Sequence, residues 1–268
     1  MKIKSLGYRT DLFFWKFDGE IHDRGDYLVI LTPSNPTFYW GNLLLFSSPP
    51  AKGDFERWKN IFADEISSRQ ETHHLVFGWD GIDGETGEGQ PFLDAGFKLV
   101  QSIVMTARQI VLPPKYNHEV DIRPLSRDWE WQQALENQIN CRDAEFGLEN
   151  YTVFKRAKME RYRQMTQAGL GEWFGAFYRD RLVAGLGLYC EDGVARYQSV
   201  ETHPDFRRRG ICGTLVHQAA RYGFERMGAS VLVMIADEQY FAGRIYESIG
   251  FKTEERQTGL EWWEEGKA

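Results

Sequence analysis

Runs of apolar residues separated by polar turns predict the secondary structure of the first half of the chain. The predicted strands, rich in aromatic and β-branched side chains, are residues 27–31, 38–46, 74–79 and 100–110. After Gly53-Asp54, apolar residues from Phe55 to Ile66 recur at helical spacing, which predicts a helix. A short helix over 91–95 ends at Gly96. The first half therefore alternates strands with helices.

The second half shows a similar alternation. Its predicted strands are 120–124, 173–178, 182–189, 194–202 and 231–236, and its predicted helices are 128–141, 151–166, 210–227 and 240–249. Arg179-Asp180 marks a hairpin turn between two of these strands. Antiparallel strands followed by the order strand, helix, strand, helix predict an α/β chain whose helices pack on a mixed sheet.

Two adjacent prolines divide these halves. Pro113 and Pro114 stand where an apolar run gives way to polar residues, so we place a linker over 112–118. The length of 268 residues fits two domains of ordinary size. The predicted domains are residues 1–115 and 116–268.

Composition narrows the class of protein and its partners. With 42% hydrophobic and 26% charged residues, the chain is typical of folded globular proteins. No apolar run reaches the roughly 18 residues of a membrane span, and no signal peptide is recognisable, so we expect a cytoplasmic protein with no membrane partner. A net charge of −7 argues against nucleic acid as a partner. The 3 cysteines are far apart, so we expect neither a disulfide framework nor a metal site.

One basic segment departs from this acidic average. Arg207, Arg208 and Arg209 precede Gly210 and Gly213 between an apolar strand and an amphipathic helix. Glycines allow a backbone to approach an anion closely, and the free N–H groups of a helix start attract it. The segment contains neither GxxxxGK[ST] nor GxGxxG, which argues against a nucleotide loop of either kind. It predicts a phosphate site of another type, with a solvated basic loop as the alternative.

The order Arg207-x-x-Gly210-x-Cys212 resembles the acetyl-coenzyme A signature of the Gcn5-related N-acetyltransferases (GNAT). Downstream, Tyr246 and Gly250-Phe251 resemble a second signature of that family. The resemblance covers roughly residues 120–263. It implies a GNAT acyl-CoA N-acyltransferase fold and direct transfer of acetyl from acetyl-CoA to a primary amine of a small molecule or peptide. A non-catalytic acyl-CoA binding or sensing protein is the alternative, and a homodimer is left open.

The resemblance also implies roles for individual residues. Those expected to bind coenzyme A, through strand backbone, loop N–H groups or side chains, are Val200, Glu201, Thr202, Arg207, Arg208, Arg209, Gly210, Ile211, Cys212, Gly213 and Gln239. Tyr246 would protonate the departing thiolate. Direct transfer also needs a deprotonated amine, and Glu201 is the expected base, with Asp237 and Glu238 as rivals.

The first half echoes the element order of the second. Its loop over 47–53 lacks the arginine-glycine pattern, and Pro49 and Pro50 remove N–H donors that a phosphate would need. We therefore predict a degenerate GNAT-like first half without a cofactor site. An unrelated α/β domain is the alternative.

Overall fold

The computed structural model describes residues 1–144, 146–237 and 242–264. The chain forms two compact units. The first comprises Met1–Val104 and the residues from Glu254, and the second is Met105–Thr253. These boundaries differ from the predicted 1–115 and 116–268. The prolines at 113 and 114 lie in irregular backbone within the second unit, and the C-terminal strand pairs with a strand of the first unit.

The first unit is a mixed sheet with helices. Its elements are α1 (Leu6–Asp18), β1 (Glu20–Asp23), β2 (Tyr27–Leu31), β3 (Leu43–Phe46), α2 (Asp54–Phe62), β4 (His74–Trp79), α3 (Gln90–Asp94), β5 (Lys98–Ala107) and β11 (Lys252–Trp263), the last two extending across the unit boundary. Their strand order is β1-β2-β3-β4-β11-β5. β3 and β4 run parallel, whereas β11 runs antiparallel to β4.

Stacked aromatic rings form the core of the first unit. Phe46 of β3 stacks on Trp58 of α2 with ring centroids 3.8 Å apart, and Phe77 of β4 meets Trp58 edge-on at 5.7 Å. All three side chains are buried. The apolar stripe predicted for α2 thus packs against the sheet, as an amphipathic helix should.

The second unit is also built of strands and helices. Its elements are β6 (Asp121–Pro124), α4 (Asp128–Asn140), α5 (Leu148–Gln167), β7 (Gly171–Tyr178), β8 (Arg181–Glu191), β9 (Val194–Thr202), α6 (Ile211–Arg226), β10 (Val231–Asp237) and α7 (Ala242–Glu247). The strand order is β10-β9-β8-β7-β6, antiparallel except for the parallel pair β9 and β10. The predicted α/β class with a mixed sheet is confirmed.

Helices cover both faces of the strands of the second unit. Tyr197 Oη donates to Val216 O of α6 at 3.0 Å, and Tyr162 Oη of α5 donates to Gln198 Oε1 at 3.0 Å. Successive side chains of a strand point to opposite faces, so α6 lies on one face and α5, packed beside α4, on the other. No helix of the described residues is long and apolar enough to cross a bilayer.

The strand predicted over 38–46 is partly wrong. Tyr39–Gly41 form a 3₁₀ turn, and β3 begins only at Leu43. Buried Asn42 holds this turn, because its Oδ1 accepts from Thr32 N at 2.8 Å and its Nδ2 donates to Phe38 O at 2.9 Å. One polar side chain therefore replaces strand pairing at this point.

Candidate active site

β9 and β10 pair along only part of their length. Their register covers Val231–Val233 of β10 against Val194–Arg196 of β9. β9 continues to Thr202 and β10 to Asp237, beyond the paired residues. Within the described register, the later part of β9 therefore offers backbone N–H and C=O groups on its β10 side. Such an edge can bind an extended ligand as an added strand.

A bulge in β9 sets the direction of the side chains at this edge. Gln198 pairs with Gly187 and Glu201 with Gly185, and Ser199 between them has φ +46°. Residues three apart in a regular strand face opposite sides, but the bulge turns both Gln198 and Glu201 toward the α4–α5 face. Gln138 of α4 donates to the Ser199 carbonyl at 2.9 Å and so holds the bulge.

Glu201 lies in a buried polar cluster on that face. Lys155 Nζ is 3.5 Å from Glu201 Oε1 and donates to Gln138 Oε1 at 2.9 Å. Glu201 Oε2 is buried and has no hydrogen-bond partner among the described residues. Burial raises the pKa of Glu201 above its ordinary value, and the Lys155 charge opposes that rise. A carboxylate whose pKa is raised, and which keeps one oxygen unbound, is suited to accept a proton.

The nearby thiols do not suit nucleophilic chemistry. Cys141 Sγ donates to Thr202 O at 3.4 Å, and burial with the adjacent Glu201 raises the pKa of Cys141 to about 12. Burial also raises the pKa of Cys212 to about 12. Both thiols remain protonated near neutrality, and the thiolate is the nucleophilic form.

The basic loop leads directly into α6. Arg208 and Gly210 have φ of +63° and +80°, and Gly210 is the N-cap of the helix. The first helical bond runs from Thr214 N to Gly210 O at 3.1 Å. In the described part of the chain, no acceptor meets the N–H groups of residues 208–213. Six adjacent donors at a helix start form an anion-binding arrangement.

The arginine side chains support this loop. Arg207 Nε donates to Thr202 O at 3.1 Å, at the end of β9. Arg209 Nη2 donates to Asp205 O at 3.3 Å, and its guanidinium lies 4.8 Å from the Phe206 ring centroid. Arg208 is exposed. The loop thus carries three positive charges beside its N–H donors.

Tyr246 lies on α7, which packs against α6 and β10. The tyrosine is buried, and its ring centroid is 6.3 Å from that of Phe251. α7 lies close to the start of α6, since a Cβ at Gly213 would be 3.6 Å from Ile245 Cγ2, an ordinary contact distance. The structure thus places the helix of the predicted acid beside the loop, and Glu201 on the α4–α5 face.

The other residues predicted for the site lie partly within and partly outside the described residues. Val200 and Thr202 lie in the part of β9 beyond its pairing with β10, and Ile211 and Cys212 begin α6. Asp237 ends β10 and is exposed. Gln239 and the rival base Glu238 lie outside the described residues.

The sequence analysis did not single out Lys155. It also did not single out Lys115 and Asn117 of the proline segment, residues 112–118, which donate to the carbonyls of Arg208 and Arg209 in the basic loop. Lys155 shares the buried side of α5 with Met159 and Tyr162. A lysine within an otherwise apolar helical stripe was the available signal. Asn117 had no such signal, because its contacts with the loop are distant in sequence.

Comparisons with known proteins identify the second unit more closely. The profile of the Acetyltransferase (GNAT) family matches residues 131–251. No curated protein matches the chain significantly.

Several solved structures share the fold. A conserved protein of unknown function from Staphylococcus epidermidis ATCC 12228 aligns with a TM-score of 0.68 and 17% identity, over 91% of this chain and 94% of its own. A GCN5-related N-acetyltransferase from Kribbella flavida aligns with a TM-score of 0.65 and 13% identity, over 94% and 93%. A tandem GNAT protein from the clavulanic acid biosynthesis pathway aligns with a TM-score of 0.52 and 12% identity, over 83% of this chain and 80% of its own. At these identities the likeness concerns the fold alone, and it spans both units.

Proposed function

We propose that the chain is an N-acetyltransferase of the GNAT family, because the profile of that family matches residues 131–251. The second unit would transfer an acetyl group from acetyl-CoA directly to a primary amine of a small molecule or peptide. The first unit would lack a cofactor site, because Pro49 and Pro50 provide no N–H donors where the second unit has its loop.

One observation carries this proposal: β9 continues to Thr202 beyond its last pair with β10 at Arg196, and the loop that presents six N–H groups follows β9 along the chain. Coenzyme A contains an extended arm with two amides and a diphosphate. The edge over residues 200–202 suits the amides, and the N–H groups and arginines of residues 207–213 suit the diphosphate. The two surfaces follow one another along the chain in the order of these groups.

Glu201 and Tyr246 would each carry out one of the two proton transfers of the reaction. Glu201 would take a proton from the acceptor ammonium, and the free amine would attack the thioester carbonyl to give a tetrahedral intermediate. As the carbon–sulfur bond breaks, Tyr246 would donate its proton to the thiolate. The products are an N-acetylated amine and coenzyme A.

A non-catalytic acyl-CoA binding protein is the second candidate. The ion pair between Glu201 and Lys155 favours it, because a carboxylate engaged by a buried lysine is a weaker base. The two candidates share the coenzyme A site and differ only in turnover.

The test combines calorimetry with coenzyme A and an acetylation assay on a broad amine panel. We expect micromolar or tighter binding and acetylation of at least one amine. Replacing Arg208 and Arg209 together by glutamate should weaken coenzyme A binding by about tenfold or more. Arg221→Glu, an exposed charge reversal farther along α6, is the matched control. Binding without acetylation of any amine favours the second candidate, and absence of binding by the wild type contradicts both.

A further inference from the structure

The proline segment, residues 112–118, is hydrogen-bonded to the basic loop of residues 207–213. Lys115 Nζ donates to the carbonyl oxygen of Arg208, and Asn117 Nδ2 donates to that of Arg209 at 2.9 Å. The backbone N–H of Asn117 donates to Thr214 Oγ1, in the first turn of α6, at 2.8 Å. Residues 115–117, here called the brace, therefore hold two consecutive loop carbonyls and the start of the helix.

Holding these carbonyls also directs the neighbouring N–H groups. In a trans peptide the C=O of one residue and the N–H of the next point in opposite directions. Because the Arg208 and Arg209 carbonyls point toward the brace, the N–H groups of Arg209 and Gly210 point away from it. Neither N–H has an acceptor among the described residues. The brace thus turns two donors toward the space where an anion would bind.

The loop needs such support, because its backbone is strained. Arg208 has φ +63°, and a left-handed conformation costs a non-glycine residue on the order of 1 kcal/mol or more. Gly210 also has positive φ, at +80°, and a Cβ there would overlap the carbonyl oxygen of Lys115. Lys115 of the brace lies against Gly210. The brace also donates to the carbonyls of Arg208 and Arg209, within the strained part of the loop.

Asn117 is itself held in one orientation. Its Oδ1 accepts from Glu119 N at 2.8 Å and from Val120 N at 3.2 Å, which leaves Nδ2 facing the loop. The side chain is buried, as is Thr214. The amide therefore joins a fixed turn on one side to the loop on the other, and does not need to be ordered when a ligand binds.

We propose that Lys115 and Asn117 are positioning residues for the diphosphate of acyl-CoA. They act through the loop backbone, by presetting the N–H groups of Arg209 and Gly210. This inference rests on the proposed function. It assigns a role in the cofactor site to the segment that the sequence pattern marks as a linker.

The test uses the full chain with Asn117→Ala and Lys115→Met. Coenzyme A affinity is measured by calorimetry, and kcat/KM is measured with acetyl-CoA and with S-acetylpantetheine, which lacks the diphosphate. Each variant should bind coenzyme A about five- to tenfold more weakly, the equivalent of about one hydrogen bond. Its kcat/KM with acetyl-CoA should fall similarly, while that with S-acetylpantetheine stays within twofold of wild type.

Two controls distinguish a loss of positioning from a general loss of positive charge and from a failure to fold. Arg221→Met removes a positive charge from α6 away from the loop and should leave both substrates unaffected. Lys115 is exposed, so Lys115→Met leaves no buried group unpaired if Asn117→Ala fails to fold. An equal loss of kcat/KM with both thioesters, or unchanged coenzyme A affinity in a folded variant, would overturn the proposed role of the brace. A wild type that does not bind coenzyme A would instead overturn the proposed function.

Discussion

Among single residues, Tyr246 provides the sharpest test of the proposed chemistry. Its ring packs in a buried position near Phe251, so phenylalanine preserves the packing and removes only the hydroxyl. If Tyr246 protonates the thiolate, Tyr246→Phe should lower kcat by about 100-fold or more, because general acid catalysis contributes about that much. Coenzyme A affinity measured by calorimetry should change less than twofold. An unchanged kcat would remove Tyr246 from the mechanism.

The charge of Lys155 would affect the proton transfer proposed for Glu201. Burial raises the pKa of Glu201, whereas Lys155, 3.5 Å away, and Lys158 on the same helix lower it. The base acts only when deprotonated, so activity should rise with pH through the pKa of Glu201. Removing the Lys155 charge raises that pKa further. Lys155→Met should therefore move the acidic limb of the kcat/KM profile to higher pH by about one unit or more.

The groups facing Glu201 define the control for this pH profile. They include Lys155, Lys158 and Tyr151 of α5 and the thiol of Cys141 just after α4, which is protonated near neutrality. Lys155→Arg keeps the positive charge and should keep the acidic limb within a few tenths of a pH unit of wild type. A limb that does not move in Lys155→Met would show that Glu201 is not the titrating base.

At the scale of elements, β4 contains a buried histidine that makes the first unit sensitive to acid. His74 stacks on Tyr39 at 4.5 Å, and its Nε2 lies 3.1 Å from the Asn42 carbonyl, which accepts the ring N–H. Burial lowers the pKa of His74 from 6.5 to about 4. Between these values the unfolded chain binds a proton that the folded chain does not. Stability contributed by neutral His74 is therefore present above pH 6.5 and is lost as pH falls toward 4.

The loss from this one histidine should reach about 3 kcal/mol at pH 4. His74→Gln has no imidazole to titrate and keeps an amide donor for Asn42. The free energy of unfolding of the wild type, measured by urea titration, should fall more steeply than that of the variant as pH decreases from 7 to 4. Parallel pH dependences in the two proteins would contradict the assignment.

The sequence predicted elements well where burial alone determines the pattern. β9 is found over the predicted 194–202, and α6 differs from the predicted 210–227 by one residue at each end. The junction of the arginine-glycine loop with α6 was also predicted from sequence, because glycine before an amphipathic run is a local signal for the start of a helix. The bulge at Ser199 was not, because it depends on a hydrogen bond from Gln138 of another element.

At the scale of the whole chain, the C-terminal strand was the main feature missed. β11 is rich in charged residues between Lys252 and Arg256, so it shows no clear apolar alternation. Its buried residues depend on distant partners: Tyr8 Oη donates to Thr258 O at 2.8 Å, and Leu260 is part of the core around Trp58. Contacts across more than two hundred residues of sequence leave no local signal, and the predicted domain boundary differed for this reason.

This arrangement predicts how the chain responds to loss of its C-terminus. β11 pairs with β4 through Thr258–Trp263, so a chain ending at Thr253 lacks a strand between β4 and β5 of the first unit. Hydrogen exchange followed by mass spectrometry should show loss of protection in β4, while β7, β8 and β9 of the second unit remain protected. Leu260→Ala, which leaves the strand in place, should lower the free energy of unfolding by about 3 kcal/mol because Leu260 is fully buried. If the C-terminal residues instead belonged to the second unit, truncation would expose the amides of β9 and β10 and leave β4 protected.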